Sequence, residues 1–134
     1  MGFSVPVRVY WEDTDAGGVV YHAQYVAFLE RARTEWLRAM GFDQGVLKEV
    51  DHLIFVVHSM QLEFRKPAKL DDLLEVTARL VSCRKVSFEF EQTVERDGQT
   101  LVNARVKAAV LDSRTMKPRG LPAEIFSQLH GAMR

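Results

Sequence analysis

The amino-acid sequence predicts an α+β protein in which a curved, five-stranded antiparallel sheet is wrapped around one long helix. Apolar residues recur at helical spacing from about Ala23 to Met40, after one short strand candidate. From His52 onward the apolar residues alternate at period two through four further strands. These strands run to about ten residues each, where five or six is usual. Long strands with one apolar face, together with one apolar helix, favour a sheet that curves around the helix.

The helix candidate has a clear end and an unusual beginning. Gly41 directly follows Met40, and glycine enters the left-handed conformation at a helix C terminus without strain. The first turn, Tyr25 to Leu29, is apolar on every side, so we expect the N-terminal half to be enclosed. Polar residues are predicted to form the outer face: Glu30, Arg31, Arg33, Thr34, Glu35 and Arg38.

The other elements follow from the same patterns. Val5 to Trp11 is the first strand, with Pro6 at its start or on a sheet edge because proline has no N–H. Asp43 is placed to cap a short helix that reaches Val50. The later strands and the terminal helix are predicted at His52 to Arg65, Leu74 to Leu80, Val86 to Val94, Val102 to Val110 and Pro122 to Met133, with a hairpin turn at Asp97-Gly98.

The strand pattern also predicts the surroundings of several polar side chains. His58 shares a strand face with apolar residues, so we expect it to be a packed, hydrogen-bonded core residue. A single helix covers a wide sheet poorly, so an uncovered edge or face is predicted to meet another subunit. Opposite charges are predicted to face each other across strands: Arg79, Arg105 and Lys107 against Glu89 and Glu91.

Length and composition favour one domain over residues 1–134. Apolar residues make up 47% of the chain, which is enough for a core and argues against global disorder. Lys plus Arg and Asp plus Glu number 18 each, so no basic excess points to nucleic acid. The formal net charge of zero leaves little self-repulsion and eases oligomer formation.

The cellular compartment is predicted from cysteine usage and the lack of targeting patterns. The single cysteine, Cys83, excludes an intrachain disulfide and fits a reducing compartment. The N-terminal residues have no basic region followed by an apolar run, as a signal peptide would. No apolar run approaches the roughly 20 residues that cross a bilayer. We therefore expect a soluble, cytoplasmic protein without membrane insertion.

The stretch that carries chemistry lies directly before the long helix: Glu12-Asp13-Thr14-Asp15-Ala16-Gly17-Gly18-Val19-Val20-Tyr21-His22. The Asp15 carboxylate could attack a carbonyl group directly or take a proton from an attacking water. The alternative is an ordinary turn aspartate with no chemical role. Gly17 and Gly18 favour the chemical interpretation, because glycine lets the backbone approach a ligand closely.

The start of the helix adds a second part of a site. Neither Tyr21 nor His22 is a residue type that caps a helix. The first N–H groups are therefore predicted to be free, and the helix dipole favours negative charge near them. An oxygen that gains charge during attack on a carbonyl would be stabilised there. Water is the alternative occupant of this position.

The run from Tyr10 to His22, with Tyr25 and Phe28-Leu29-Glu30-Arg31-Ala32-Arg33, resembles the signature of the hot-dog-fold acyl-CoA thioesterases. It resembles in particular the YbgC type associated with the Tol–Pal operon, and it is similar to 4-hydroxybenzoyl-CoA thioesterase. The core Thr14-Asp15-x-x-Gly18-Val19-Val20 is specific, and the strand order matches along nearly the whole chain. The resemblance implies hydrolysis of an acyl-CoA to a free acid and coenzyme A without a cofactor.

The resemblance also implies an assembly and a division of roles. It implies dimers with a continuous sheet, often joined into tetramers, with active sites at the dimer interface. Asp15 is the implied catalytic carboxylate, and a backbone N–H near His22 polarises the thioester carbonyl. The His22 side chain is a second catalytic candidate, able to relay protons near pH 7, with a bond to a neighbour as the alternative. Many relatives carry tyrosine where this chain has Trp11, so a role for that hydroxyl does not transfer.

Several residues are predicted to contact the substrate: Gly17, Gly18, Val19, Tyr21, Tyr25, Arg84 and Lys85. For the two tyrosines, packing is the alternative. Arg84 and Lys85 resemble paired basic residues that bind the phosphates of coenzyme A, with ordinary solvated charge as the alternative. Further basic candidates are Arg65-Lys66 and Lys117 with Arg119.

Other functions are disfavoured by the same sequence. Asp13-x-Asp15-x-Gly17-Gly18 departs from a calcium loop at two ligand positions, and the histidines show no metal spacing. The segments that hot-dog dehydratases and hydratases use are absent. The remaining alternative is a non-catalytic acyl-binding scaffold, as a partner of a Tol–Pal envelope system or of an acyl carrier protein.

Overall fold

Residues 2–133 are described by this computed structural model, so the two end positions of the predicted 1–134 domain lie outside the described residues. The strands are β1 (Phe3–Arg8), β2 (Leu53–Phe64), β3 (Leu73–Cys83), β4 (Ser87–Arg96) and β5 (Gln99–Asp112). The helices are α1 (Gln24–Ala39), α2 (Gln44–Asp51) and α3 (Ala123–Gly131). The five strands form one sheet in the order β1-β3-β4-β5-β2, and β1 pairs antiparallel with β3. The predicted α+β class is therefore confirmed.

Helix boundaries agree with the local signals in the sequence. α1 begins one residue after the predicted Ala23 and ends one residue before Met40. Gly41 has a φ of +95°, in the left-handed region, and donates its N–H to Arg38 O at 2.9 Å. Asp43 caps α2, and its side chain accepts two N–H bonds of the first turn at 2.8 and 3.2 Å. Both caps follow from single residues, which explains why the sequence predicts them.

The first strand ends earlier than predicted. A strand over Val5–Trp11 is expected, but the chain leaves β1 at its end and forms a 3₁₀ turn at Trp11–Asp13. The turn is held because the Asp13 carboxylate accepts the Tyr10 N–H at 2.8 Å and the Asp13 N–H donates to Tyr10 O at 3.0 Å. The predicted end at Trp11 is wrong for this reason. Pro6 does lie on an edge strand, as expected.

The chain divides into two compact units, and the first comprises residues up to Trp36, Leu62–Ala78 and Gln92–Ala104. The first unit has a fully buried apolar core: Val9, Phe28, Leu29, Leu74, Val76, Val94, Leu101 and Val102. Val26, in the first turn of α1, is 37% exposed. The prediction of an N-terminal half enclosed on every side is therefore wrong at this face of the helix.

Arg33 also departs from the prediction, because it is buried rather than on the polar outer face of α1. Its side chain is 8% exposed and donates from Nη1 to Gln92 Oε1 at 3.0 Å. The Gln92 amide donates in turn to Leu29 O and Thr77 O, both at 3.0 Å. Burial lowers the pKa of the Arg33 guanidinium. An acceptor from β4 thus gives this buried cation a hydrogen-bond partner, and the negative charge of Glu30 partly opposes the effect of burial on its pKa.

The second unit comprises Leu37–Gln61, Arg79–Glu91 and residues from Arg105 onward. Its core is again apolar, and the Phe88 ring contacts the Phe55 ring edge-on at 5.0 Å. Arg79 pairs with Glu91, and Arg105 pairs with Glu89 at 2.6 Å and with Glu91. The predicted cross-strand pairing is confirmed for both arginines, whereas Lys107 makes no ion pair within the described part of the chain.

His58 is exposed, so its predicted place in a packed core is wrong. β2 lies at the edge of the sheet order, and its central residues Val57, His58 and Ser59 are all exposed. Alternation in a sequence identifies the residues that share a strand face. It does not reveal whether anything covers that face.

Candidate active site

Residues 14–20 form a tight hairpin at the centre of the predicted site, within the first unit. The Asp15 N–H donates to Val19 O at 2.9 Å, and the Gly18 N–H donates to Asp15 O at 3.0 Å. Thr14 and Val20 pair as an isolated antiparallel bridge. Gly18 has a φ of +81°, which strains residues with a side chain. The glycine predicted to permit close approach is therefore also required by the turn.

The Asp15 side chain is exposed and only partly engaged. Its Oδ1 accepts the Gly17 N–H at 2.8 Å, which is the turn-aspartate contact that the sequence leaves open. A Cβ at position 17 would lie 3.2 Å from this oxygen, so a side chain there would press against the carboxylate. The second oxygen, Oδ2, accepts no hydrogen bond from residues 2–133. One oxygen thus orients the carboxylate, and the other is available for chemistry.

The hairpin is held on both sides by backbone bonds. The Tyr21 N–H donates to Asp13 O at 2.9 Å, which ties the approach to α1 back to the 3₁₀ turn. The Val20 N–H donates to Ala68 O at 2.9 Å, and Val19 pairs with Lys69 as an isolated bridge. These bonds fix the hairpin to the loop that joins β2 and β3.

The start of α1 is only partly bonded within the described residues. The Gln24 N–H donates to Tyr21 O at 2.8 Å, and the Val26 N–H donates to Ala23 O at 3.2 Å. The N–H groups of His22 and Ala23 donate to none of the residues that the structure describes, and both residues are exposed. An N-terminal helix dipole and unbonded N–H groups together favour a partly negative oxygen at this position.

The His22 ring lies against the Tyr21 ring, with centroids 4.6 Å apart and an interplanar angle of 47°. Both residues are exposed. Neither ring nitrogen of His22 is hydrogen-bonded to a side chain or backbone group among residues 2–133, so the alternative of a bonded helix-start histidine is not observed. The catalytic role of His22 and the substrate contact of Tyr21 stay predictions.

Tyr25 is buried in the first unit, with 3% of its surface exposed. Its hydroxyl oxygen accepts the Ala68 N–H at 3.0 Å, and its ring packs against those of Phe28 and Phe64. Burial raises the pKa of this phenol, which therefore stays protonated at neutral pH. The contacts observed are packing contacts, and the substrate contact predicted for Tyr25 stays a prediction.

Arg84 and Lys85 belong to the second unit, in the turn between β3 and β4. The Arg84 N–H donates to Ser87 O, and Lys85 O accepts the Leu121 N–H, both at 2.7 Å. Both side chains are exposed, and neither forms an ion pair with another described residue. They are free to bind an anion, and their predicted contact with phosphate remains a prediction.

The loop from Lys66 to Asp72 supports the hairpin and is not recognised in the sequence. Asp72 Oδ2 accepts the Lys69 N–H at 2.8 Å and pairs with Arg96 at 2.7 Å. Burial alone would raise the pKa of Asp72, but these two partners outweigh it and lower the pKa below its ordinary value. The two charged residues are 24 positions apart, so no local signal links them.

A cleft of about 440 Å³ opens beside the 3₁₀ turn, in the first unit. Its lining is Val5, Pro6, Val7, Arg8, Tyr10, Glu12, Asp13, Arg31 and Glu35. Asp15 is absent from the lining of this cleft and is exposed. Within residues 2–133, no three His, Cys, Asp or Glu side chains converge as metal ligands would, and no helix has the length and apolar character to span a bilayer.

Comparisons with known proteins show the family of this chain. The model of the thioesterase-like superfamily matches residues 9–129. The chain is 48% identical over 129 residues to the acyl-CoA thioesterase YbgC of Haemophilus influenzae, covering 96% of this chain and 95% of that protein. It is 50% identical over 127 residues to the acyl-CoA thioester hydrolase YbgC of Escherichia coli O6:H1, covering 94% of each. A probable thioesterase from Bartonella henselae has a TM-score of 0.86 at 39% identity, covering 91% of this chain and all of that one.

Proposed function

We propose that this chain, which belongs to the thioesterase-like superfamily and has the hot-dog fold, hydrolyses acyl-CoA thioesters at the Asp15 hairpin and the start of α1. One observation carries the assignment of the site. Asp15, with one carboxylate oxygen that accepts no bond from residues 2–133, is held on a short hairpin next to the start of α1, where the N–H groups of His22 and Ala23 donate to none of these residues. Acyl transfer requires such a pair of a base or nucleophile and an oxyanion donor.

In the reaction, Asp15 acts on the thioester carbonyl carbon in one of two ways. As a general base, it takes a proton from water while the water oxygen bonds to that carbon. As a nucleophile, its oxygen bonds to the carbon, and water then hydrolyses the resulting anhydride. In both cases the carbon–sulfur bond breaks, the thiolate of coenzyme A leaves and takes up a proton, and a free acid remains.

The start of α1 stabilises the charge that develops on the carbonyl oxygen. The N–H groups of His22 and Ala23 are the donors, because they are exposed and carry no other bond among the described residues. Removing one such donor typically costs 10²–10³ in kcat. The His22 imidazole is placed on the same turn, where it can pass a proton to the departing thiolate.

Substrate binding and assembly complete the proposal. Gly17, Gly18 and Val19 give close backbone approach, and Arg84 and Lys85 bind the phosphates of coenzyme A. Because Asp15 is exposed in one chain, we expect a second copy to enclose the site in a homodimer or tetramer. Since β2 is the last strand of the sheet within residues 2–133, its outer edge is the surface on which we expect the second copy to pair.

Two further parts of the proposal concern the carrier and the compartment. Acyl carrier protein presents the same kind of thioester as coenzyme A and is an alternative acyl donor. A buried, reduced Cys83 fits a cytoplasmic location. The proposal does not specify the acyl group, because the second copy that encloses the site would also shape the acyl pocket.

The test is release of free thiol from a panel of short, long and aromatic acyl-CoAs by wild type and by Asp15→Asn. We expect wild type to hydrolyse at least one member and Asp15→Asn to lower its kcat at least about 100-fold, as loss of a general base or nucleophile does. Asp97→Asn is the matched control, since it removes the same charge from an exposed turn at positive φ that asparagine tolerates. Equal release by Asp15→Asn would remove Asp15 from catalysis, and no release from any member would favour a non-catalytic acyl-binding scaffold.

A further inference from the structure

We propose that Tyr25 is a positioning residue for this hydrolysis, which sets the Asp15 hairpin against the start of α1. The inference rests on the proposed function, because it concerns the distance between the carboxylate and the amide donors. Tyr25 acts through the backbone of Ala68 and does not itself touch the reacting atoms.

The connection runs through a single residue of the β2–β3 loop. The Tyr25 hydroxyl oxygen accepts the Ala68 N–H at 3.0 Å. The carbonyl of the same residue, Ala68 O, accepts the Val20 N–H of the hairpin at 2.9 Å. The next residue pairs with Val19 as an isolated bridge. A side chain in the first turn of α1 and the return strand of the hairpin are thus bonded to the same residue.

Burial makes this connection rigid. Ala68 is fully buried, and Tyr25 is 3% exposed. Water cannot readily replace either partner, so loss of the hydroxyl would leave the Ala68 N–H without an acceptor. The Tyr25 ring lies edge-on against Phe28, with centroids 6.1 Å apart, and is tilted by 56° against Phe64, with centroids 5.7 Å apart. The hydroxyl therefore has little freedom to follow a displaced loop.

The loop that contains Ala68 is anchored independently of Tyr25. The Asp72 carboxylate accepts the Lys69 N–H and pairs with Arg96, and Arg96 also donates to Pro67 O at 3.3 Å. These bonds hold the segment on both sides of Ala68. The loop is therefore a fixed reference against which the hydroxyl of Tyr25 places the helix.

The hairpin needs such a reference because, apart from its bonds to the β2–β3 loop, it has few bonds that fix it relative to α1. Among residues 2–133, the Asp15 side chain bonds only within its own turn. The Tyr21 N–H, which donates to Asp13 O, connects the segment before α1 to the 3₁₀ turn. Misplacement of a reacting group by about 1 Å can cost roughly 100-fold in rate. A lost bond at Ala68 would let the carboxylate and the amide donors drift apart without removing either.

The experiment compares Tyr25→Phe with wild type, using the acyl-CoA that wild type hydrolyses fastest. Phenylalanine keeps the ring and removes the acceptor. We expect kcat to fall about 10- to 100-fold with KM unchanged within about twofold. Tyr10→Phe is the matched control, since Tyr10 is 61% exposed, and it should retain wild-type kcat. A rise in KM alone would make Tyr25 a substrate contact, and an unchanged kcat would make it a purely structural residue; either result overturns the proposal.

A double variant separates this inference from the proposed function. In the Asp15→Asn background, Tyr25→Phe should lower the residual rate less than twofold, because the group that it positions is absent. If Asp15→Asn keeps only a low residual rate and Tyr25→Phe lowers that rate by the same factor as in the wild-type background, the positioning role fails while the role of Asp15 stands. If Asp15→Asn retains full activity, the catalytic role of Asp15 is disproved, and the positioning role of Tyr25 that depends on it is disproved with it.

A second variant covers the case in which Tyr25→Phe does not fold. Asp72→Asn weakens the anchor of the same loop without touching Tyr25 or the hairpin. We expect a smaller fall in kcat, about three- to tenfold, with KM unchanged. An unchanged kcat in this folded variant would contradict a role for the loop as the reference of the site.

Discussion

Asp13 and Asp15 are two residues apart, and their surroundings are opposite. Asp13 is 6% exposed, its carboxylate accepts the Tyr10 N–H, and its carbonyl accepts the Tyr21 N–H. Asp15 is exposed, and one of its oxygens accepts no bond from the rest of residues 2–133. Asp13 shapes the chain around it, whereas Asp15 keeps one oxygen accessible to a ligand.

The difference lies in the backbone and not in the residue type. A carboxylate surrounded by N–H groups becomes part of the turn, because its hydrogen bonds to those groups stabilise the turn. A carboxylate at the tip of a hairpin can be oriented by one N–H and still face a ligand. The spacing Asp-x-Asp in a sequence does not distinguish these cases, and the experiments below test the distinction directly.

The largest expected effect on stability comes from Asp13→Ala. It leaves the Tyr10 N–H and the 3₁₀ turn without their acceptor, so the free energy of unfolding should fall by about 1–3 kcal/mol. Urea unfolding of Asp13→Ala and of Asp15→Ala measures this loss. Asp15→Ala should lower the free energy of unfolding less, because the Asp15 carboxylate that accepts the Gly17 N–H is exposed. Asp13→Asn keeps an acceptor and should recover part of the loss. Equal losses for the two alanine variants would contradict the division of roles.

Gly18→Ala tests the hairpin that carries Asp15 without touching Asp13. An alanine at a φ of +81° costs about 1–2 kcal/mol, although no heavy atom lies within 4 Å of the added Cβ. We expect this loss in urea unfolding together with a fall of about tenfold in kcat/KM, because the hairpin would change its turn. Gly120→Ala is the control, since that glycine also has open space around it and no positive φ. A Gly18→Ala variant with wild-type activity would show that the hairpin geometry is not needed.

The smallest effect is the pH dependence that Asp72 contributes. Its folded pKa lies below its ordinary value of 3.8, so its contribution to stability is present above pH 3.8 and is lost as pH falls through the folded pKa. Wild type should exceed Asp72→Asn in free energy of unfolding by under about 1 kcal/mol at pH 7, since the pair with Arg96 is partly exposed. The difference should shrink below about pH 4. A difference that grows on acidification would have the wrong sign for this account.

Features set by single residues could be predicted from the sequence. Gly41 and Asp43 mark the ends of helices through caps that depend on nearby backbone alone. The uncapped start of α1 and the turn at Asp15 belong to the same category. The fold class followed because period-two and helical spacing differ clearly over long segments.

Features set by distant partners could not be predicted. Arg33 is buried because Gln92 supplies an acceptor 59 positions away. Tyr25 reaches Ala68 across 43 positions, and no pattern near either residue indicates the bond. His58 lies on the edge strand, where alternation alone cannot tell a covered face from an open one. Sequence rules describe neighbours along the chain, whereas these contacts depend on which strands come together.

The most direct test of the account is the structure of wild type bound to an acyl-CoA analogue in which a methylene group replaces the thioester sulfur. We predict that the ketone oxygen lies about 2.7–3.1 Å from the His22 backbone nitrogen. An Asp15 oxygen should lie about 3–3.5 Å from the ketone carbon, or be bridged to it by one water. A bound analogue whose ketone lies away from the Asp15 carboxylate or from the first N–H groups of α1 would contradict the central claim.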